Sequence, residues 1–387
     1  MLFIKQGQTV RSQSLRSLAG SSSRKVRDTP VGQLNSPIRG ASSVILCCRT
    51  EVKGLAVAEE IMRGDPSSHG NGITVQVLDL NDLESVLNAV KGIKSKLAGA
   101  TLDILVLNAG VIAKTLARTA QGYEKGWGVN VVGHYALTQK LLPLTTEATH
   151  IVAVSSVAHW VCKEIGDDVD FEHGRKFSGW QSYGQSKLGL LLYMKYLARN
   201  PSLYKGKAYS VHPGAIATTL QDGTSYVKFM FKMFSWWTKT PEQGAATTVY
   251  ACTDFVDAPN GAYLKDCQDG RSRMAKQGDN VANGNKMVAI VEESLKHKFP
   301  SYFEVPEGEN SGGRSEKKTV GERGAAVEVA VTCTQRPPLQ LARKNSRATV
   351  GSESEIVSKV SRLASVGMSE SADSGGGERK DSIPALH

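Results

Sequence analysis

Five short apolar, β-prone runs punctuate the middle of the chain, at Ser43 to Cys48, Ile73 to Leu78, Leu102 to Leu107, Ile151 to Val154 and Ala208 to Val211. Each is too short and too continuously apolar for a half-exposed strand, and longer amphipathic stretches separate them, so the pattern predicts buried parallel strands joined by crossover helices. Helices are expected over residues 51–63, 82–97, 118–143, 181–199 and 241–253. Asn81, followed three residues later by Glu84, reads as a capping box for the second, and Thr240-Pro241 opens the last with proline at the first helical position. The fold class is α/β, a Rossmann-like doubly wound parallel sheet with helices on both faces. Ligands of such sheets collect beyond the carboxyl ends of the strands.

The flanks are different in kind. Residues 1–40 are rich in Ser, Arg, Gln and Gly, sustain no period over ten residues, and read as an atypical, disordered segment. After Phe303 no aromatic occurs in the remaining 84 residues, which are dominated by Gly, Ser, Glu and Lys. Such a segment buries too little apolar surface to offset its ordering entropy, so residues 304–387 read as a disordered tail and 41–303 as the folded domain.

Charge narrows the partners. The net charge is +10, but residues 1–40 hold seven Lys/Arg against one Asp, which accounts for +6 of it. The folded middle is only mildly basic, and nucleic acid is not an expected partner. No apolar run approaches the roughly 18 residues that would span a bilayer. The six cysteines show no CxxC pair and no metal-ligand spacing, which fits a reducing compartment and a site without metal. A cytoplasmic location follows. The basic, Ser-rich start is also similar to an organellar transit peptide, giving a mitochondrial alternative.

The chemistry sits on the 181–199 stretch, where Tyr183 and Lys187 are four residues apart in Tyr183-Gly184-Gln185-Ser186-Lys187 and share one helical face. A phenol that works as an acid/base near neutral pH needs its pKa lowered by about three units, ~4 kcal/mol, and a neighbouring ammonium supplies part of that. The strand Ile151 to Val154 ends in Ser155-Ser156, hydroxyls placed where a substrate carbonyl would be met. The strand Leu102 to Leu107 ends in Asn108-Ala109-Gly110, and Asn130 lies inside a predicted helix where asparagine has poor propensity. Arg49 and Asp79 follow two other strand ends. Each alone has a plain structural reading, as a turn, a cap or a solvent-facing residue.

Taken together, Leu105 to Val111, Gly128 to His134, Val154 to His159, Tyr183 to Lys187 and His212 to Thr218 occur in the order seen in short-chain dehydrogenases/reductases, and the chain most resembles their retinol dehydrogenase and WW-domain oxidoreductase branch. The resemblance covers about two thirds of the chain. It implies that Tyr183 is the proton donor or acceptor, that Lys187 holds the nicotinamide ribose and depresses the tyrosine pKa, that Ser156, with Ser155 as the alternative, orients the carbonyl, and that Asn130 anchors a relay water. Asn108, Ala109 and Gly110 would flank the cofactor, Pro213, Gly214 and Thr218 would close over it, and Asp79 would meet the adenine. The cation Arg49 suits a 2′-phosphate, which favours NADP over NAD.

One part of that pattern is missing. The family's opening strand and glycine-rich TGxxxGxG turn should precede Ser43, yet Gly7, Gly20, Gly32 and Gly40 show no such spacing. The first central strand is therefore expected to be absent. A truncated or misassembled gene model, a cofactor-impaired relative acting as a binding or regulatory protein, and a strand improvised from Met1 to Ile4 or another N-terminal piece would each account for it. Between Thr218 and Pro241, the residues Tyr226, Phe229, Met230, Phe231, Met233, Phe234, Trp236 and Trp237 suit an apolar substrate cover. The expected substrate is a lipophilic alcohol or carbonyl compound. Lys228, Lys232 and Lys239 among those aromatics also suit contact with a membrane surface, and a homo-oligomer is compatible with the reading.

Overall fold

A computed structural model describes residues 2–6, 41–64, 72–214, 239 and 241–304, the first five as backbone. The chain divides into two compact units, Met1–Tyr302 and Phe303–His387, and the first carries the fold described below. Its strands are β1 (Leu2–Gln6), β2 (Ala41–Cys48), β3 (Gly72–Val77), β4 (Leu102–Leu107), β5 (Thr145–Val154), β6 (Lys207–His212), β7 (Tyr263–Lys265) and β8 (Gln268–Asp269). They form one sheet in the order β3-β2-β1-β4-β5-β6-β7-β8.

The pairs β2 with β3, β4 with β5, β5 with β6 and β6 with β7 are parallel. The expected gap at the centre is filled. Leu2–Gln6 lies between β2 and β4, antiparallel to both, with Leu2 opposite Leu46 on one side and Val106 on the other. The reason is physical: two buried sheet halves facing each other with unpaired N–H and C=O groups are costly, and Leu2-Phe3-Ile4 is a β-prone run able to cap both. Of the stretch read as disordered, residues 2–6 are thus strand, while 7–40 lie outside the described residues.

Side chains alternate across the sheet as its pleat requires. Val44, Leu46, Ile104, Val106, Val152, Val154, Tyr209 and Val211 pack on one face, against Ala58 of α1 (Glu51–Gly64) and Tyr250 and Ala251 of α6 (Pro241–Ala251). Ile45, Leu105, Leu107, Ile151, Ala153 and Ala208 face the other side. There they meet α2 (Leu83–Leu97), α4 (Gly133–Leu141), α5 (Gly179–Arg199) and α7 (Val281–Lys298). Helices therefore cover both faces.

Three helical expectations shift. The cap of α2 is Asp82, not Asn81: its carboxylate accepts from the Glu84 N–H at 3.1 Å and from the Gln121 amide at 2.8 Å. Helix does not begin at 118 but at α3 (Lys125–Trp127), because Arg118 and Glu124 bridge across a turn at Gly122, whose φ is 81°. The Glu124 carboxylate then caps the Gly126 and Trp127 N–H groups. Beyond Trp127 the chain makes a π turn, Gly128–Val132, before entering α4. The helix α7 and the β7–β8 hairpin were not anticipated.

Candidate active site

The carboxyl ends of β2 to β7 lie along one edge of the sheet, and the residues singled out from the sequence fall there. Arg49 is exposed just past β2, and Asp79 half-buried just past β3. The Asp79 carboxylate accepts from the Asn81 N–H at 2.9 Å, so it organises the turn into α2. Asn108, Ala109 and Gly110 follow β4 with Asn108 and Gly110 exposed, and Pro213 and Gly214 follow β6 half-buried. Thr218 and the apolar cover from Tyr226 to Trp237 lie outside the described residues.

The tightest cluster links β4, β5, the π turn and α5. Helical spacing puts Tyr183 and Lys187 on one face of α5, and the Lys187 ammonium sits 5.6 Å from the Tyr183 ring centroid. It donates to the Val154 carbonyl at 2.7 Å, which anchors α5 to the end of β5. The half-buried Ser156 caps the short turn Val157–Val161, its hydroxyl accepting from the Ala158 N–H at 3.2 Å, and it also hydrogen-bonds the Tyr183 side chain. Ser155 is buried and donates to the Lys187 carbonyl at 2.7 Å. Of the adjacent serines, only Ser156 meets the phenol.

Asn130 lies in the π turn, where the backbone ladder widens, and its side chain meets the loop after β4 and α5. Its amide oxygen accepts from the Val111 N–H at 2.8 Å, and its amide nitrogen donates to the Val111 carbonyl at 3.0 Å and to the Ser186 hydroxyl at 2.9 Å. It thereby staples the loop after β4 to α5. Gly110 rides on the same cluster: a Cβ there would fall 3.2 Å from the Lys187 nitrogen and 3.5 Å from the Asn130 amide oxygen.

Electrostatics follow burial. Desolvation pushes the Tyr183 phenol up and the bond from Ser156 opposes it. The direction is opposite to the one the Tyr-Lys spacing suggests, because burial of the phenol outweighs what its neighbours offer the phenolate. Burial also lowers Lys187 to about 8, leaving it mostly charged at neutral pH. Behind the serine turn, the His159 ring contacts the Ser156 carbonyl at 2.5 Å through Nδ1 and accepts from the Ala275 N–H at 3.0 Å through Nε2, and burial lowers its pKa to about 4. Gly184, inside the Tyr-Lys segment, lets α5 approach this turn, since a Cβ there would lie 2.6 Å from the Ala158 carbonyl oxygen. Neither His159 nor Gly184 is marked by spacing.

A nicotinamide dinucleotide fits one end of this edge and not the other. The bare Gly110 beside Lys187 and Asn130 leaves space for a ribose, where a side chain would crowd the ammonium. At the pyrophosphate position the fit fails. The antiparallel β1 brings Leu2 to this edge and Gln6 to the opposite one, so among the described residues no turn from β1 into a helix faces the ligand.

A doubly wound sheet with its polar cluster at the carboxyl edge defines a Rossmann-type α/β protein. A family model described as enoyl-(acyl carrier protein) reductase matches residues 42–264. Retinol dehydrogenase 11 of Homo sapiens is 36% identical over 236 residues, 59% of this chain and 70% of that protein. The WW domain-containing oxidoreductase of Drosophila melanogaster is 28% identical over 230 residues, 58% of this chain and 56% of that protein. Among solved structures, an uncharacterized protein from Mycobacterium paratuberculosis aligns with a TM-score of 0.50 at 27% identity, over 65% of this chain and 83% of that one. The chain belongs to the short-chain dehydrogenase/reductase family of oxidoreductases, with retinol dehydrogenases among its relatives.

Proposed function

We propose that this protein interconverts an alcohol and a carbonyl group on a lipophilic small molecule, with Tyr183 as general acid/base and NADP(H) in preference to NAD(H) as its redox partner. The observation that carries the reading is the convergence of Tyr183, Ser156, Lys187 and Asn130 at one strand edge. The nicotinamide, when bound, supplies or accepts the hydride. In the reductive direction the Tyr183 hydroxyl gives its proton to the substrate oxygen as negative charge develops there, and the Ser156 hydroxyl donates a hydrogen bond to the same oxygen. The Lys187 ammonium stabilises the phenolate that remains. The Asn130 staple holds the Gly110 loop against that ammonium, and the bulk acid restores the proton in the next cycle.

NADP preference rests on Arg49, an exposed cation at the end of β2, the strand end from which a ribose 2′-phosphate would be met. The lipophilic substrate rests on the apolar composition of the segment between Thr218 and Pro241. A cytoplasmic or membrane-surface location accords with both; among the described residues no helix is long and apolar enough to cross a membrane. The orientation of β1 favours a second reading, a catalytically impaired relative that binds partners on the same scaffold.

Two measurements separate them. Fluorescence titration with NADPH is expected to show weak binding, because among the described residues no helix N-terminus follows β1 at the pyrophosphate position; saturable low-micromolar binding would contradict the account of β1. Assay at saturating NADPH against a panel of medium-chain aldehydes, retinal and ketosteroids is expected to show turnover of at least one. Bound cofactor with no turnover across the panel would sink the enzymatic reading and leave the second.

A further inference from the structure

Asn130 is held by a residue that the staple itself does not include. His134 lies one turn further along, completely buried, at the second position of α4. Its Nδ1 is 2.8 Å from the Asn130 backbone carbonyl. A carbonyl oxygen only accepts, so Nδ1 carries the proton and donates. The ring is neutral: burial and the neighbouring Lys187 charge both disfavour its cation, and its pKa falls to about 3. Its other nitrogen, Nε2, is a buried acceptor without a partner. Leaving one ring nitrogen unsatisfied costs on the order of 1–3 kcal/mol. A Leu or Phe would fill the same space at no such cost, so packing alone does not explain an imidazole here.

The Asn130 carbonyl belongs to the π turn, whose ladder runs from Gly133 N–H to Gly128 carbonyl, five residues apart. A π turn is a local excursion from the α-helix, and an added donor on one of its carbonyls favours it over the α alternative. If the turn reverted, the Asn130 side chain would rotate by about 100° around the helix and lose Val111 and Ser186 together. Ser186 in turn donates to the Tyr183 carbonyl at 2.8 Å. One contact therefore governs both attachments of the staple, to the Gly110 loop and to the helix of the acid/base pair.

We infer that His134 is a positioning residue, whose Nδ1–H grips the Asn130 carbonyl and so sets Asn130, the Gly110 loop and the Lys187 ammonium in register. The inference rests on the acid/base reading of Tyr183 and Lys187, but its first test does not need activity. Asn at this position presents an amide N–H where Nδ1 lies, Gln presents one where Nε2 lies, and Leu presents none. The intact chain carrying His134→Asn, His134→Gln or His134→Leu is to be compared by hydrogen exchange of the Asn130 side-chain amide, assigned through Asn130→Asp, and by kcat for carbonyl reduction.

Slow exchange is expected in the parent and in His134→Asn, with exchange at least tenfold faster in His134→Gln and His134→Leu. In an active protein kcat should follow the same order, falling tenfold or more in the latter two and by less than threefold in His134→Asn, with KM little changed. A space-filling role gives the reverse ranking, Leu best and Asn worst, and that result overturns the inference. So does equal exchange in all four proteins. Should His134→Leu not fold, the contrast between Asn and Gln decides alone. A parent with a protected Asn130 amide but no turnover would refute the enzymatic reading while leaving the positioning role of His134 supported.

Discussion

The Ser155 hydroxyl donates to the Lys187 carbonyl at 2.7 Å, deep between β5 and α5, while the hydroxyl next to it in sequence, that of Ser156, meets the Tyr183 side chain. The two serines thus divide the work of attaching the helix and meeting the substrate. Ser155→Ala should lower stability by about 1–2 kcal/mol, the value of one buried hydrogen bond, with activity within a few-fold of the parent. Ser156→Ala removes a donor to the reacting oxygen and should lower kcat/KM by about 10²–10³. Urea midpoints and steady-state rates on the two variants check this; the opposite pattern would make Ser155 the substrate contact.

Gly184 is a packing requirement inside the acid/base segment. Alanine there gains up to about 1 kcal/mol in helix propensity, yet its Cβ would stand 2.6 Å from the Ala158 carbonyl oxygen and 3.1 Å from Val161 Cβ. Backbone cannot yield as a flexible side chain does. Gly184→Ala is expected to be destabilising by about 1–3 kcal/mol net, measured by chemical denaturation. A neutral or stabilising change would show that α5 and the serine turn are less closely packed.

Four buried histidines make the fold sensitive to acid. Burial lowers His134 and His212 to about 3 and His159 to about 4, from 6.5, and lowers His150 as well. Between pH 6.5 and 4 the unfolded chain binds more protons at these sites than the folded one, so stability rises with pH there and is lost as pH falls. Each such histidine adds at most about 1.4 kcal/mol per pH unit to that slope, where its unfolded form is protonated and its folded form is not. Denaturant midpoints at half-unit steps from pH 7 to 4.5 should fall accordingly, and the decline should be shallower in His159→Gln.

Much of this was legible in the chain itself. The strands at 43, 73, 102, 151 and 208 are readable because a sheet covered on both faces demands continuous apolar runs, and Tyr183 and Lys187 because helical spacing stacks them. The start of α3 was misplaced because the hydrogen bond from the Thr119 N–H to the Tyr123 carbonyl and the bridge between Arg118 and Glu124 are contacts of a folded turn, which apolar periodicity does not register. The helix α7 was overlooked because Asn283, Gly284 and Asn285 are poor helix formers, although Met287, Val288, Val291 and Leu295 carry a usable stripe. A strand from Met1 to Ile4 or another N-terminal piece is one of three readings the sequence allows; that Leu2–Gln6 forms it, and runs antiparallel, is set by the two edges it must satisfy. His134 was invisible, since an imidazole that clasps a backbone carbonyl leaves no trace in spacing.

The claim on which the functional account depends is that the Tyr183 phenol delivers the proton. The most direct measurement is the single-turnover rate of carbonyl reduction at saturating NADPH for the parent and for Tyr183→Phe, which keeps the ring packed against Lys187 and Trp180. Loss of one positioned acid should slow the step by about 10²–10⁴ with the melting temperature nearly unchanged. A Tyr183→Phe protein that reduces the substrate within a few-fold of the parent rate would place the proton donor elsewhere and contradict the account.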